Sequence, residues 1–189
     1  MDMTTVTEYD WLFLLPRVPA EPSRHRVALW RELRRIGAVP AASGAWTVPA
    51  LPPFTEGLPG ARAVAERGGG TLAVFTAVPD TAGDREVLAE SFAEVRRDEW
   101  AEFVADCDKF DAEIAKEIAK QKFTFGELEE EEQSLERLRR WYRDLKQRDV
   151  LRLPEAEGAE ARLAASTEIL ADYAEQVFAA QLPPAADPE

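Results

Sequence analysis

Short apolar runs of strand length recur in the first part of the chain. Residues 9–15 form an aromatic and aliphatic run before Pro16, which predicts a buried central strand. Residues 38–41 and 45–48 flank Ser43 and Gly44, the pattern of a β-hairpin. Residues 71–76 follow three consecutive glycines and predict a further strand. Four strands are therefore expected.

Two helical patterns separate these strands. In residues 23–36, Leu29, Leu33 and Ile36 fall on one side of a helical wheel. Ser23 is placed to act as the N-cap, and Gly37 is placed to end the helix in a left-handed conformation. Residues 52–67 also carry apolar positions at helical spacing, but glycine and proline interrupt them. We expect a short or broken helix there.

The resulting order of strand, helix, two strands, helix and strand is typical of the ferredoxin-like βαββαβ plan. We therefore predict an α+β fold in which residues 8–80 form a four-stranded antiparallel sheet with two helices on one face. The other face of such a sheet needs a cover.

The rest of the chain is dominated by helical periodicity. Apolar residues recur at three- and four-residue spacing over residues 84–122, 127–148 and 159–180, which predicts three further helices. We expect residues 84–180 to form a helical extension that packs on the sheet, with a linker at 154–158. A loose leader at residues 1–6 and a disordered tail at residues 181–189 complete the predicted organisation.

Composition excludes several classes of site. With one cysteine (Cys107) and one histidine (His25) among 189 residues, the chain has neither an intramolecular disulfide nor a Cys/His zinc site. Four consecutive glutamates at 129–132 point around a helix rather than toward one metal ion. No apolar run reaches transmembrane length. We predict a cytoplasmic protein that is not an enzyme and has no cofactor, no metal and no membrane contact.

Positive charge is concentrated in one segment of an acidic chain. The net charge is −13, but residues 17–35 contain six arginines and two glutamates, a local balance of +4 that leaves −17 for the rest. On the wheel, Arg24, Arg31 and Arg35 lie opposite the apolar side. This basic face is a candidate for binding nucleic acid or another anion. The alternative is that these arginines are solvated or paired with acids.

The amino end of the same helix is the second candidate site. We expect Ser23, Arg24, His25 and Arg26 to form an oxyanion pocket, with Arg17 reaching in from the end of the first strand. Protonation of His25 at about pH 6.5 would strengthen anion binding there. The wheel places Arg26 beside Leu33, which predicts partial burial. The alternative is that an acid such as Asp10 or Glu21 neutralises Arg26.

Two long motifs carry a resemblance to a known family. LPRVPAEPSRHRVALWRELRRIGAVPAASGAWTVP and, later, FTFGELEEEEQSLERLRRWYRDLKQRD resemble the N-terminal domain of the ChrB family, which is linked to bacterial chromate resistance. The likeness runs from Asp10 to about Ala180. Longer members carry a second domain where this chain ends, near Glu189. We therefore expect any role of that domain to be missing here.

The resemblance implies a chromate-responsive transcription regulator. A regulatory, DNA-associated module is one hypothesis, and a protein that binds chromate or a similar oxyanion without reading DNA is the other. Its partners would be DNA, the oxyanion, a second copy in a homodimer or a separately encoded ChrB-type domain. The basic helix and the hairpin are more distantly similar to the middle domain of PaaX-type repressors. Trp30 and Trp46 are expected to lie in the core.

Overall fold

The computed structural model of the protein describes residues 10–182. The predicted leader, most of the predicted tail and Tyr9 lie outside the described residues. The elements, in chain order, are β1 (Trp11–Arg17), α1 (Ser23–Arg35), β2 (Val39–Ala42), β3 (Ala45–Pro49), α2 (Pro52–Thr55), α3 (Leu58–Arg67), β4 (Thr71–Ala77), α4 (Ala82–Ala119), α5 (Phe125–Arg148) and α6 (Glu155–Gln181). The α+β class is confirmed.

The described chain divides between Arg96 and Arg97, inside α4, into two compact units. We call them unit 1, up to Arg96, and unit 2, from Arg97. The predicted domain limits lie at the start of α4 instead, and the predicted packing of one domain on the other stays a prediction.

Unit 1 is built on one four-stranded sheet. Its strand order is β2-β3-β1-β4, and every neighbouring pair is antiparallel. Leu14, Val48 and Leu72 lie on one face of this sheet and are buried. Trp11 lies on the opposite face and is buried too, which explains why the central strand is apolar on both faces over much of its length. The predicted four-stranded antiparallel sheet is thus confirmed.

β1 continues through Pro16, where we expected it to end. Pro16 pairs with Leu72 of β4, whereas the ladder to β3 stops at Leu14. Because β3 no longer faces Pro16, the missing backbone N–H of proline leaves no unmade hydrogen bond on that side. The predicted limit was therefore wrong by two residues at this end.

The helical segment before β4 is broken, as predicted. A four-residue helix, α2, precedes α3. Phe54 of α2 is fully buried, and its ring meets Phe92 of α4 edge to face at 5.5 Å. Phe92 also packs against Trp11 of β1 at 5.8 Å. The first turns of α4 thus belong to the core of unit 1.

Unit 2 contains the rest of α4 together with α5 and α6. Its core is made by the apolar positions that the sequence pattern marks on these helices, including Phe103, Ile114, Leu135 and Val177. Phe103 meets Trp141 of α5 at 5.4 Å. A layer of aromatic and aliphatic side chains therefore fills the space between the helices.

α6 begins at Glu155, inside the segment that we predicted to be a linker. Pro154 precedes its first residue, and the Asp149 carboxylate accepts the backbone N–H of Leu153 at 3.1 Å. Gly158, which suggested a break, lies within α6 with nothing within 4 Å of an added Cβ. One glycine with open space around it did not stop the helix.

Candidate functional site

Helix α1 presents one buried side to unit 1 and one basic side to solvent. Leu29 and Leu33 are buried, as is Ile36 just beyond the helix. Gly37 has φ 82°, and the N–H groups of Gly37 and Ala38 bond to the carbonyls of Arg34 and Leu33, respectively, at 2.9 Å. This is a Schellman ending, so the predicted role of Gly37 is confirmed.

The amino end of α1 has no side-chain cap. Pro22 holds the N-cap position and Ser23 is already the first helical residue, so the prediction that Ser23 is the cap was wrong. Proline fixes an extended backbone there without offering an oxygen for the free N–H groups. The first turn also contains no acidic residue. The positive end of the helix dipole is therefore uncompensated by its own residues.

The solvent side of α1 combines arginines with an aromatic ring. Arg24 and Arg31 are exposed, and so is Trp30, with 47% of its surface accessible. The guanidinium carbon of Arg34 lies 5.2 Å from the centre of the Trp30 ring. The prediction that Trp30 belongs to the core was wrong, because its position flanks the buried stripe instead of lying within it. Trp46 is half-buried.

Sequence reasoning had not included Arg34 among the site residues. Its spacing of four residues from Trp30 is the signal that could have identified it, since such pairs are neighbours on a helix. Val27 was also overlooked and is exposed. Together with Ser23, Arg26 and Trp30, Val27 lines a shallow depression of about 220 Å³ on this side of α1.

The arginines of this region differ in whether an acid neutralises them. Arg35 donates two hydrogen bonds to Glu32, at 2.7 and 2.8 Å, and this pair lowers the pKa of the Glu32 carboxyl. Among residues 10–182, Arg24, Arg26 and Arg31 make no hydrogen bond or ion pair through their side chains. Arg35 is therefore the least available cation of the predicted basic face.

Arg26 is exposed, so its predicted partial burial was wrong. It lies in the first turn of α1, where the neighbouring apolar stripe has not yet begun, and the solvent reaches it. Neither Asp10 nor Glu21 pairs with it within the described chain. The expected acid neutralisation of Arg26 is thus not found there.

The chain just after β1 and the first turn of α1 both approach Gly68. A Cβ added to Gly68 would lie 3.0 Å from the Cβ of His25 and 3.1 Å from a methyl of Val18. Arg17 immediately precedes Val18 and is exposed. In the described residues no hydrogen bond joins Arg17 to Ser23, Arg24, His25 or Arg26. A pocket shared by all five residues stays a prediction.

A second group of basic residues, which includes Arg139, Arg143 and Arg148, lies on α5, and these three arginines are paired with acids. Arg143 pairs with Glu136 at 3.1 Å, and Arg139 lies 3.9 Å from the same carboxylate. Arg148 lies 3.8 Å from Glu99. This cluster offers less free positive charge than α1 does.

Neither a metal site nor a membrane-spanning helix is found in the part of the chain that is described. No group of three histidine, cysteine, aspartate or glutamate side chains is placed to hold a metal ion. The described helices also include none that combines the length and the apolar character needed to cross a membrane.

Comparison with known proteins identifies a family. The family model described as "Protein ChrB, N-terminal" matches residues 26–184, which is most of the chain. The match begins in the first turn of α1 and reaches beyond the end of α6. No curated protein and no solved structure matches.

Proposed function

The chain belongs to the ChrB N-terminal family, and on that premise we propose that it is a non-catalytic module of a chromate-response regulator that contacts DNA through α1. The observation that carries this proposal is the set of exposed arginines without acid partners, Arg24, Arg26 and Arg31, on one short helix. Phosphate contacts of this kind supply most non-specific DNA affinity.

The acidic remainder of the chain limits how DNA could be approached. A total of −17 outside residues 17–35 repels phosphate, so only the local basic side of α1 is available for contact. We expect modest affinity that depends strongly on salt. A second copy or a separately encoded ChrB-type domain would add the contacts needed for tight binding. Such a complex would form in the bacterial cytoplasm, where DNA is present.

We assign unit 1 to the ferredoxin-like plan, with the second helix of that plan divided into α2 and α3. The element order and the β2-β3-β1-β4 sheet order support this assignment. In this arrangement α1 lies on one face of the sheet, and its outer side is free for a ligand.

A low-salt gel shift with duplex DNA tests the proposal. The double variant Arg24→Glu, Arg31→Glu should abolish the shift, because both side chains are exposed and unpaired. In a milder variant, Arg24→Ala with Arg31→Ala, the slope of log affinity against log salt should fall by about 2, or roughly 0.9 for each phosphate that is no longer neutralised.

The matched control is Arg139→Glu with Arg143→Glu, which makes the same charge change on α5. It should retain most of the binding, since both arginines already share Glu136. Equal binding by wild type and by the α1 variant would refute the role of α1. If the wild type does not bind DNA at all, the second function below is favoured.

The second candidate function is binding of chromate or a similar oxyanion. The observation that favours it is the uncapped amino end of α1, with no acid in its first turn and with Arg26 unpaired beside it. Calorimetric titration with chromate and with sulfate, on wild type and on Arg26→Ala, tests this function. Arg35→Ala is the control and should bind like wild type, because the Arg35 guanidinium is already paired with Glu32. Heat that is absent, or equal in all three proteins, would contradict it.

A further inference from the structure

Unit 2 contains a groove between α4 and α5 that the proposed function does not use. Its volume is about 660 Å³. We call it the α4/α5 groove, and the side chains that matter to its chemistry are Lys109, Phe110, Glu113, Glu131, Leu138 and Trp141. It is larger than the depression on α1 and combines acidic and apolar surfaces.

Glu131 is the unusual group in this groove. Only 9% of its surface is exposed, yet its carboxylate makes no hydrogen bond or ion pair with any residue in the range 10–182. Its carboxylate oxygens still reach solvent in the groove, but burial of most of the side chain limits their hydration, which is costly for a charged group without a partner. A groove residue of this kind is placed to receive a partner from a ligand.

Three of the acids near Glu131 already have lysine partners. Glu113 is bonded to Lys116 at 2.8 Å. Glu117 is paired with Lys122 at 2.9 Å, and Lys122 also reaches Glu127 at 3.1 Å. The nearby lysines are thus paired with these other carboxylates. Of the two glutamates that line the groove, Glu113 has a cation and Glu131 has none among the described residues.

An apolar wall faces the same space. Phe110 and Leu138 are buried, and the half-buried ring of Trp141 is held from behind by Phe103 at 5.4 Å. Aromatic faces attract organic cations as well as alkyl chains. The wall therefore suits a chain of methylene groups that ends in a positive charge.

The two basic side chains of the groove already have polar partners. Lys109 is paired with Asp106 at 2.6 Å, and the Arg137 guanidinium donates to the Ser134 hydroxyl at 2.8 Å. The groove is lined by three acids, Asp106, Glu113 and Glu131, and by these two bases. A cationic ligand in the groove therefore meets a lining of net negative charge when Glu131 is ionised.

We propose that the α4/α5 groove binds a primary alkylammonium group, with the Glu131 carboxylate as its counter-ion and with its methylene chain against Phe110, Leu138 and Trp141. Two sources share this chemistry: a free aliphatic amine and a lysine side chain on a protein partner. The groove selects against carboxylates and against neutral alkyl compounds of the same length.

Binding should strengthen as the pH rises. Burial raises the pKa of the Glu131 carboxyl, and the nearby Glu113, Glu117, Glu127 and Glu130 raise it further. The other charged groups lining the groove are Asp106, Lys109 and Arg137. Because an ammonium partner favours the ionised carboxylate, binding releases a proton wherever free Glu131 is protonated.

Calorimetric titration of the full chain with hexylamine, with hexanol and with hexanoate tests the proposal. Hexylamine should bind, whereas the neutral and the anionic analogues should not. Nα-acetyllysine methylamide distinguishes the two sources. If this compound binds as well as hexylamine, a lysine side chain fits the groove, and if only hexylamine binds, the site is for a free amine.

Glu131→Gln should weaken hexylamine binding by at least about tenfold, the effect of losing one charge-assisted partner. The control Glu132→Gln makes the same charge change at an exposed neighbour and should bind like wild type. Circular dichroism checks that both variants are folded. The proposal is overturned if hexylamine fails to bind at millimolar concentration, or if the two variants bind equally. It is also overturned if hexanol binds as tightly as hexylamine.

Discussion

Arg162 of α6 donates a hydrogen bond from its Nε to the Asp108 carboxylate of α4, 54 residues earlier, at 2.7 Å. The same guanidinium also contacts Asp111 of α4. Asp108 is largely exposed, whereas the side chain of Asp111 is mostly buried. One arginine therefore joins two helices of unit 2 and pairs with two acids at once.

Arg162→Ala should lower the free energy of unfolding by about 2 kcal/mol, because Asp111 is left buried without its cation. Urea denaturation followed by circular dichroism measures the change. Arg143→Ala is the control, since its pair with Glu136 is exposed and should be worth less than about 0.5 kcal/mol. Equal effects of the two substitutions would contradict the structural role of Arg162.

Gly70 and Gly158 should respond to alanine in opposite ways. A Cβ at Gly70 would lie 2.0 Å from the carbonyl oxygen of Arg17, so backbone must move, and we expect a loss of about 2 kcal/mol or more. At Gly158, inside α6, the space is open, and alanine should raise the free energy of unfolding by about 0.5 to 1 kcal/mol. Thermal unfolding of both variants measures this. A neutral Gly70→Ala would show that β1 and β4 are not this close.

Glu131→Gln should stabilise the protein in a pH-dependent way. The folded state raises the pKa of the Glu131 carboxyl through burial and through the neighbouring glutamates. The folded chain thus holds this proton more tightly than the unfolded chain, and stability is lost as the pH rises above the ordinary carboxyl range. Urea denaturation should show little difference from wild type at about pH 4 and a more stable variant at about pH 8.

The exposed Glu132 provides the control for this prediction. The difference in free energy of unfolding between Glu132→Gln and wild type should be the same at both pH values. A wild-type protein that is as stable as Glu131→Gln at both would indicate that Glu131 has an ordinary pKa.

Cys107 should be nearly unreactive in the folded protein. It is fully buried, and burial raises the pKa of its thiol from 9.0 to about 11, although Ser166 and Arg162 act in the opposite direction. Alkylation by iodoacetamide at about pH 8 should be on the order of 1,000 times slower than in the urea-unfolded chain. Glutathione provides the exposed-thiol reference. Rates within tenfold of each other would contradict the burial of Cys107.

Much of the fold could be predicted because strong local signals agree with the tertiary structure. The turn at Ser43 and Gly44 and the apolar stripes of α4 to α6 each specify an element by themselves. The start of α5 was predicted two residues late, although Thr124 and Glu127 form a capping sequence, and Thr124 accepts the N–H of Glu127 at 3.3 Å. The errors at Pro16 and at Pro154 have one cause: proline has no backbone N–H, and it ends an element only where an N–H at that position would have been hydrogen-bonded.

The candidate site was less predictable, because wheel angles give direction but not depth. Arg26 points toward the apolar side, yet it lies one turn before that side meets the core. Whether Arg35 has an acid partner depends on the rotamers of Arg35 and Glu32, which periodicity does not fix. Glu131 gave no sequence signal, since it is one of four consecutive glutamates and only the packing of α4 and α5 distinguishes it. The likeness to PaaX-type repressors stays a prediction.

The exposed ring of Trp30 also gives the protein a built-in optical reporter. Trp11 and Trp100 are almost completely buried, and Trp46 and Trp141 are half-buried, so a collisional quencher such as acrylamide should act first on the fluorescence of Trp30. Emission from this indole therefore reports on the outer side of α1 without any attached dye. A ligand that covers this helix would reveal itself as a loss of quenching.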